Sequence, residues 1–273
     1  MMYDLVFVVL VYRNSQDLMD FFHSLSIPNS KVIVVNSYYD ENSEKRFQKI
    51  AQDSGADFIS VPNKGYGAGN NKGIEYALSH YDFKYLIISN ADVIIETLDV
   101  SSVEKYGNVI IAPKIINLSG KKQNPSAPFS PGKLSLYAWK YIYTKNLRFL
   151  VLPMSAWSRL KKILYYVINP FQEFVFSAHG AFVIIPEKIV RQLHPLFNEE
   201  MFLMVEEEHL GMKAKSQGIK TRYVPDIVIR HKEDGSMKMA SLNNFETRKQ
   251  SFLVYYNYWF AKNKQVEKTG IRL

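Results

Sequence analysis

Two blocks of this 273-residue chain carry residue types at spacings that could do chemistry. The first begins Pro62-Asn63-Lys64-Gly65-Tyr66-Gly67-Ala68-Gly69-Asn70-Asn71-Lys72-Gly73 and ends, after an apolar run, in Ser89-Asn90-Ala91-Asp92. Glycines at alternate positions let a backbone approach a bulky ligand, and the asparagines supply neutral donors and acceptors. Asp92 is expected at the carboxyl edge of a buried strand, where open α/β sheets bind ligands. One carboxylate there, opposite a Gly/Asn turn, suits a metal-chelated diphosphate. The second block is the acidic run Glu206-Glu207-Glu208 at the start of a helical stretch. A helix N-terminus favours their charge, while their mutual repulsion raises one pKa toward a value useful to a general base. The plainer alternatives are a strand-end turn for Asp92 that caps a following helix, and an acidic cap on a surface helix.

The elements that must position these groups alternate along the first 117 residues. Strands are expected at 4–11, 31–35, 57–61, 84–89 and 109–112, and helices at 15–26, opened by Ser15, and 41–54, stopped by Gly55. A third helix follows the Gly/Asn turn and ends near His80. Such alternation predicts an α/β fold with a mainly parallel central sheet flanked by helices. Pro125, Pro128, Pro131 and Gly132 break the pattern and introduce a helical insertion at 133–149 and 155–167, split by Pro153. Strands return at 174–177 and 181–185 around His179-Gly180, then a helix at 206–217, strands at 221–224 and 227–229, and an aromatic helix at 242–262.

Composition narrows the classes further. At 47% hydrophobic and 22% charged residues the chain is an ordinary globular protein with a full core. Without cysteine it has no disulfide or thiolate chemistry. Its first residues lack a basic n-region, and no apolar run reaches the roughly 20 residues of a spanning helix, so a cytoplasmic protein is expected. The net charge of +8 is concentrated: no Asp or Glu occurs between Glu104 and Glu173, a stretch with eleven Lys and Arg interleaved with aromatic residues such as Trp139 and Trp157. That composition suits the anionic inner face of a membrane, the alternative being a solvated basic face. No recognition motif accompanies it that would point to nucleic acid. His23, His80, His194 and His209 have no metal-site spacing.

Several strand ends complete the pattern: Val11-Tyr12-Arg13-Asn14, Val35-Asn36-Ser37, and Val228-Ile229-Arg230-His231. Together with the Gly/Asn turn, Asn90-Ala91-Asp92, His179-Gly180 and Glu206-Glu207 they resemble the family 2 glycosyltransferases of GT-A fold, particularly bacterial rhamnosyltransferase-like enzymes of capsule and O-antigen assembly. The resemblance covers about residues 4–117 and 174–232. It implies a single GT-A domain with a nucleotide-sugar-binding half (1–117), the basic insertion (118–172), an acceptor and catalytic half (173–232) and an amphipathic tail (233–273). It further implies a dTDP- or UDP-sugar donor held by Val11, Tyr12, Asn14, Asn36, Lys64, Gly65, Asn70, Asn71, Asn90, Ala91 and Asp92. Mn²⁺ or Mg²⁺ would rest on Asp92 and His231, the acceptor near His179 and Gly180, and Glu206 and Glu207 would be the catalytic acids, Glu207 the base. A polyprenyl-linked glycan is the implied acceptor, and the aromatic tail offers a surface for a homodimer. Asn36, Asn70 and Asn90 stand where the family often carries charge, which keeps a degenerate, partner-binding homologue as the alternative. A sugar nucleotidylyltransferase is disfavoured, since its Gly-rich loop follows the first strand and Tyr12-Arg13-Asn14 has no glycine.

Overall fold

A computed structural model describes residues 2–170, 173–233 and 243–261. Strand β1 (Met2–Val11) leads to α1 (Ser15–Ser24), β2 (Ser30–Ser37), α2 (Glu41–Asp53), β3 (Asp57–Val61), α3 (Tyr66–His80) and β4 (Asp82–Asn90). Next come β5 (Val93–Thr97), α4 (Val100–Glu104), β6 (Ile110–Asn117), α5 (Lys133–Thr144), a 3₁₀ turn at Arg148–Leu150 and α6 (Val151–Ile168). The chain continues through β7 (Phe174–Val175), β8 (Phe182–Pro186), α7 (Glu187–Leu193), α8 (Glu206–Ser216), β9 (Thr221–His231) and α9 (Asn244–Tyr256), which passes into a π turn at Asn257–Ala261.

The sheet order is β3-β2-β1-β4-β8-β6-β9-β5, with β7 also on β9. The first four strands are parallel. Strand β8 is antiparallel to both β4 and β6, and β6 and β9 are parallel again. Parallel pairing therefore dominates the amino-terminal half, while the other half is mixed. Leu5 to Val9 of β1 are fully buried, as a central parallel strand covered on both faces must be. Alternation sends Leu5, Phe7 and Val9 to one face, against Phe21 of α1 and Phe47 of α2. Val6 and Val8 go to the other, against Ile74 of α3 and Leu193 of α7. A third, smaller cluster joins Leu136 and Tyr143 of α5 to Phe252, Tyr255 and Tyr256 of α9 and to Met201 and Val205.

Several elements differ from the sequence expectation for physical reasons. Asn14, not Ser15, caps α1: its side chain accepts from the Gln16 N–H at 3.1 Å. Pro153 lies in the first turn of α6, where its missing N–H has no intrahelical partner to lose, so it does not split the helix. The strands expected at 221–224 and 227–229 are one strand whose register against β6 shifts past Val224. Asp92 is followed by the short strand β5 rather than by a helix. Only Pro62-Asn63-Lys64-Gly65 of the Gly/Asn block lies ahead of α3; Tyr66 to Gly73 form its first two turns. The tail helix is described only over 243–261, so Leu242 and Lys262 lie outside the described residues.

Candidate active site

The carboxyl ends of β1 and β4, the start of α8 and the end of β9 enclose a cleft of about 860 Å³. Ala91 and Asp92 form the two-residue link from β4 to β5. The Asp92 carbonyl accepts from the Lys232 N–H at 2.8 Å, and its carboxylate Oδ1 is 3.2 Å from His231 Nε2. On the other side of that ring Nδ1 is 2.8 Å from Gln123 Oε1. Gln123 donates through Nε2 to Glu233 at 2.6 Å, which turns its amide oxygen toward the histidine. The Nδ1 proton is thereby fixed, and Nε2 faces a carboxylate either as a second N–H or as a lone pair with a cation between. His179 backs this pair with its ring 5.6 Å from that of His231. Its Nδ1 accepts from the Ala181 N–H at 3.1 Å, and burial holds its pKa down, so it stays neutral with the proton on Nε2.

Beside this wall, Lys232 bridges Asp17 at 2.8 Å and Asp20 at 2.5 Å. Burial pulls the lysine pKa down, but the two carboxylates outweigh it and leave it raised. Asn14 donates to Asp17 at 2.6 Å, so the α1 cap also anchors this cluster. Next to the lining residue Tyr12, Arg13 stacks 3.8 Å over the Tyr39 ring and lies 5.0 Å from that of Tyr12, the two rings meeting edge-on at 74°.

The opposite wall is the amino terminus of α8. Met204 and Val205 hold left-handed φ angles of 73° and 74°, strain for non-glycine residues and most of all for a β-branched one. They turn the chain so that Glu206 and Glu207 face the cleft. Glu207 Oε1 accepts from the Gly180 N–H at 3.3 Å, and a Cβ at Gly180 would come within 3.0 Å of that oxygen. The Gly180 carbonyl in turn accepts from Tyr66 OH at 2.6 Å. Burial, then the nearby Glu207 and Glu206, push the Tyr66 pKa well up, so the phenol keeps its proton and donates. Glu206 is buried, and its Oε1 has no hydrogen-bond partner among the described residues. Burial first, then Glu207 beside it, push its pKa well above the usual carboxylate value. Glu208 interacts with the charges of Arg248 and Lys162 and is outside the cleft lining.

Of the residues singled out from sequence, the structure gathers Tyr12, Asn14, Gly65, Asn90, Ala91, Asp92, His179, Gly180, Glu206, Glu207 and His231 around one cleft. It places the others elsewhere. Val11 is core, and Asn36 is buried at the end of β2 with its amide on Ser60 at 3.1 Å. Lys64 is exposed outside the lining. Asn70 donates to the Tyr66 carbonyl at 3.0 Å. Asn71 accepts from the Phe197 N–H at 3.2 Å and donates to the Phe197 carbonyl and to Glu199. The glycines likewise serve packing rather than a ligand: a Cβ at Gly69 would meet Leu10 at 2.6 Å and one at Gly73 would meet Val8 at 2.4 Å. Sequence reasoning passed over Tyr66, Gln123, Lys232 and Glu233. Tyr66 is the one aromatic in the Gly/Asn block, and Lys232-Glu233 directly follows His231, so both had a local signal; Gln123, inside the Pro-rich stretch, had none.

No known family model matches the chain. Over its whole length it is 25% identical to the low-salt glycan biosynthesis hexosyltransferase Agl10 of Haloferax volcanii, of which it covers 80%. Its fold matches the structure of GalNAc-T7 with UDP, GalNAc and Mn²⁺ at a TM-score of 0.56 over 84% of this chain, with 13% identity. It matches S. aureus TarS at 0.55 over 96%, with 10% identity. Its fold is that of the GT-A glycosyltransferases. The chain spans less than half the length of these two structures, 44% and 45% respectively. The resemblance read from the strand-end motifs is therefore borne out at the level of fold and enzyme class.

Proposed function

We propose that this transferase is inverting, and moves a sugar from a dTDP- or UDP-sugar to a hydroxyl of a lipid-linked glycan in cell-surface polysaccharide assembly. The observation that carries the reading is that one cleft holds the Asp92–His231 pair on one wall and Glu207 on the other. The donor's base would rest by Tyr12 and Ser37, with its diphosphate toward Asp92. Asp92 and His231 would hold Mn²⁺ or Mg²⁺. The carboxylate is the hard oxygen donor such cations prefer, while the imidazole, turned by its outer hydrogen bond, is a nitrogen donor that suits Mn²⁺ better than Mg²⁺. Among the described residues no third His, Asp or Glu joins them. Such an ion supplies Lewis-acid neutralisation of the leaving diphosphate. Asn90, an amide at the strand end, adds a neutral oxygen. As the acceptor oxygen bonds to the anomeric carbon and the bond to the diphosphate breaks, Glu207 takes the hydroxyl proton. The hydrogen bond from the Gly180 N–H holds that carboxylate in place.

Nucleotide-sugar hydrolysis with and without Mn²⁺ tests the site. Asp92→Asn is expected to lose metal-dependent turnover while melting like the wild type, because Asp92 is in a strand-end link rather than in the core. Wild-type turnover in that variant would refute the metal site. A wild-type protein that binds a nucleotide sugar and never turns it over would favour the degenerate, partner-binding alternative. Donor identity follows from thermal shift, since a ligand at a hundredfold excess over Kd stabilises by about 2.7 kcal/mol.

A further inference from the structure

The 18-residue helix α6 is turned inside out. A surface helix of a water-soluble protein normally buries its apolar stripe and shows polar residues to solvent. Here the half-buried side of the helix mixes Val151 and Met154 with Ser155, Ser158, Lys161 and Lys162, and no residue of the helix is fully buried. The outward side carries Leu152, Trp157, Ile163, Leu164, Val167 and Ile168, each between 50% and 80% exposed, and Phe149 just before it is 72% exposed. Contiguous apolar surface of this kind marks an interaction site.

We propose that α6 is an in-plane membrane anchor whose outward apolar face enters the headgroup and acyl boundary of an anionic bilayer. Charge selects this occupant. No carboxylate occurs between Glu104 and Glu173. The charges that α6 itself sets beside the apolar face are the exposed Arg159 and the half-buried Lys161, the latter 5.8 Å from the Trp157 ring. A second copy docked on the same face would set these charges against their own duplicates, whereas anionic headgroups complement them. No helix among the described residues is long and apolar enough to cross a membrane. A helix of this length instead lies flat, with Trp157 suited to the interface by its apolar body and polar N–H. The neighbouring helix α5 contributes less than its composition suggests. Its Leu136 and Tyr143 belong to the cluster with α9, Lys140 lies 4.4 Å from the Tyr256 ring, and Trp139 is packed with Tyr143. Lys162 of α6 is turned inward to the Ser126 carbonyl. The anchor is thus chiefly apolar, with charge as its guide. It deepens the reading of a lipid-linked acceptor by bringing the cleft to the surface where such acceptors lie.

Co-sedimentation of the full chain with phosphatidylcholine vesicles, with and without phosphatidylglycerol, tests this. The wild type is expected to bind the anionic vesicles and to retain part of that binding in high salt, where a purely electrostatic contact is screened. Ile163→Gln, Leu164→Gln and Val167→Gln together keep every charge and should weaken binding at least about tenfold. Their melting should be unchanged, since these side chains face solvent. Arg159→Gln with Lys161→Gln should weaken binding at low salt only, and Trp157 emission should shift to the blue on anionic vesicles. Failure of the wild type to bind at low salt, or a triple variant that binds like the wild type, overturns the proposal. So does a wild type that ignores vesicles and self-associates in sedimentation velocity while the triple variant stays monomeric, which would make a second copy the occupant. Donor hydrolysis in lipid-free buffer is read in parallel: an intact rate with no vesicle binding rejects the anchor alone, and the reverse rejects the catalytic reading alone.

Discussion

Helices α3 and α8 both begin at the cleft and both are entered through a residue of positive φ, yet they use their polar residues in opposite directions. Before α3, Gly65 takes φ 104°, and the asparagines that follow turn inward to backbone carbonyls and to the loop at 197–199. Before α8, Val205 takes φ 74°, and the glutamates that follow include two that line the cleft. Amides, being neutral, can be buried once hydrogen-bonded, whereas adjacent carboxylates resist burial and repel each other. The first helix therefore braces the second. Asn71 grips the loop that leads into α8, and the Phe202 carbonyl accepts from the Tyr66 N–H at 2.9 Å. The site's acids are positioned by a helix whose asparagines face away from the cleft.

The largest effect should come from the catalytic side of this comparison. Glu207→Gln keeps the shape and can still accept from the Gly180 N–H, but it cannot take a proton. Transfer is expected to fall by about 10²–10⁴ while donor affinity, measured by calorimetry, stays unchanged. Full loss from Glu206→Gln with a silent Glu207→Gln would move the base one residue earlier.

On the bracing side, Gly65→Ala should cost about 3 kcal/mol in urea unfolding. Its Cβ would lie 2.1 Å from the Phe202 carbonyl oxygen, and φ 104° is a conformation that L side chains avoid. Unchanged stability would mean that the loop does not cross over α3 at this point. Asn71→Leu comes next, at about 1–3 kcal/mol, because it leaves the buried Phe197 amide and carbonyl without partners. Its donor affinity should match the wild type; a selective loss of donor binding at full stability would return Asn71 to the donor site.

The same contrast explains what could be read from sequence. The alternation of strands and helices was visible because buried parallel strands are continuous apolar runs, such as 5–9, bounded by turn residues. Asp92, His231 and Glu207 were visible because each follows such a run or opens a helix. The facing of Asn70 and Asn71 was not, because an amide is equally at home on a ligand and on a buried backbone, and only tertiary contacts decide. Strand β5 was hidden because only Ala91-Asp92 separates it from β4, and the bulge in β9 by Pro225-Asp226, which read as a break. The inverted face of α6 was hidden too, since its composition is that of any amphipathic helix and only its rotation against the core sets which side is wet.

The smallest expected effect separates the two cleft glutamates. Glu206 has a raised pKa in the folded protein, above its ordinary value of 4.5, because it is buried and lies beside Glu207. The folded state then holds a proton that the unfolded chain releases, so stability must fall as pH rises from 4.5 through the raised value. Glu206→Gln removes that dependence while keeping a neutral side chain of the same shape. The variant should melt with the wild type near pH 4 and above it at neutral pH, each 1 kcal/mol of relief reading as about 2–4 °C. It should also retain most of its transfer activity, since the proton is assigned to Glu207, the carboxylate held by the Gly180 N–H. Melting curves across this range decide the point: a variant less stable than the wild type at every pH would mean that Glu206 is an ionised, partnered carboxylate, and the two acids would then share the role here given to Glu207.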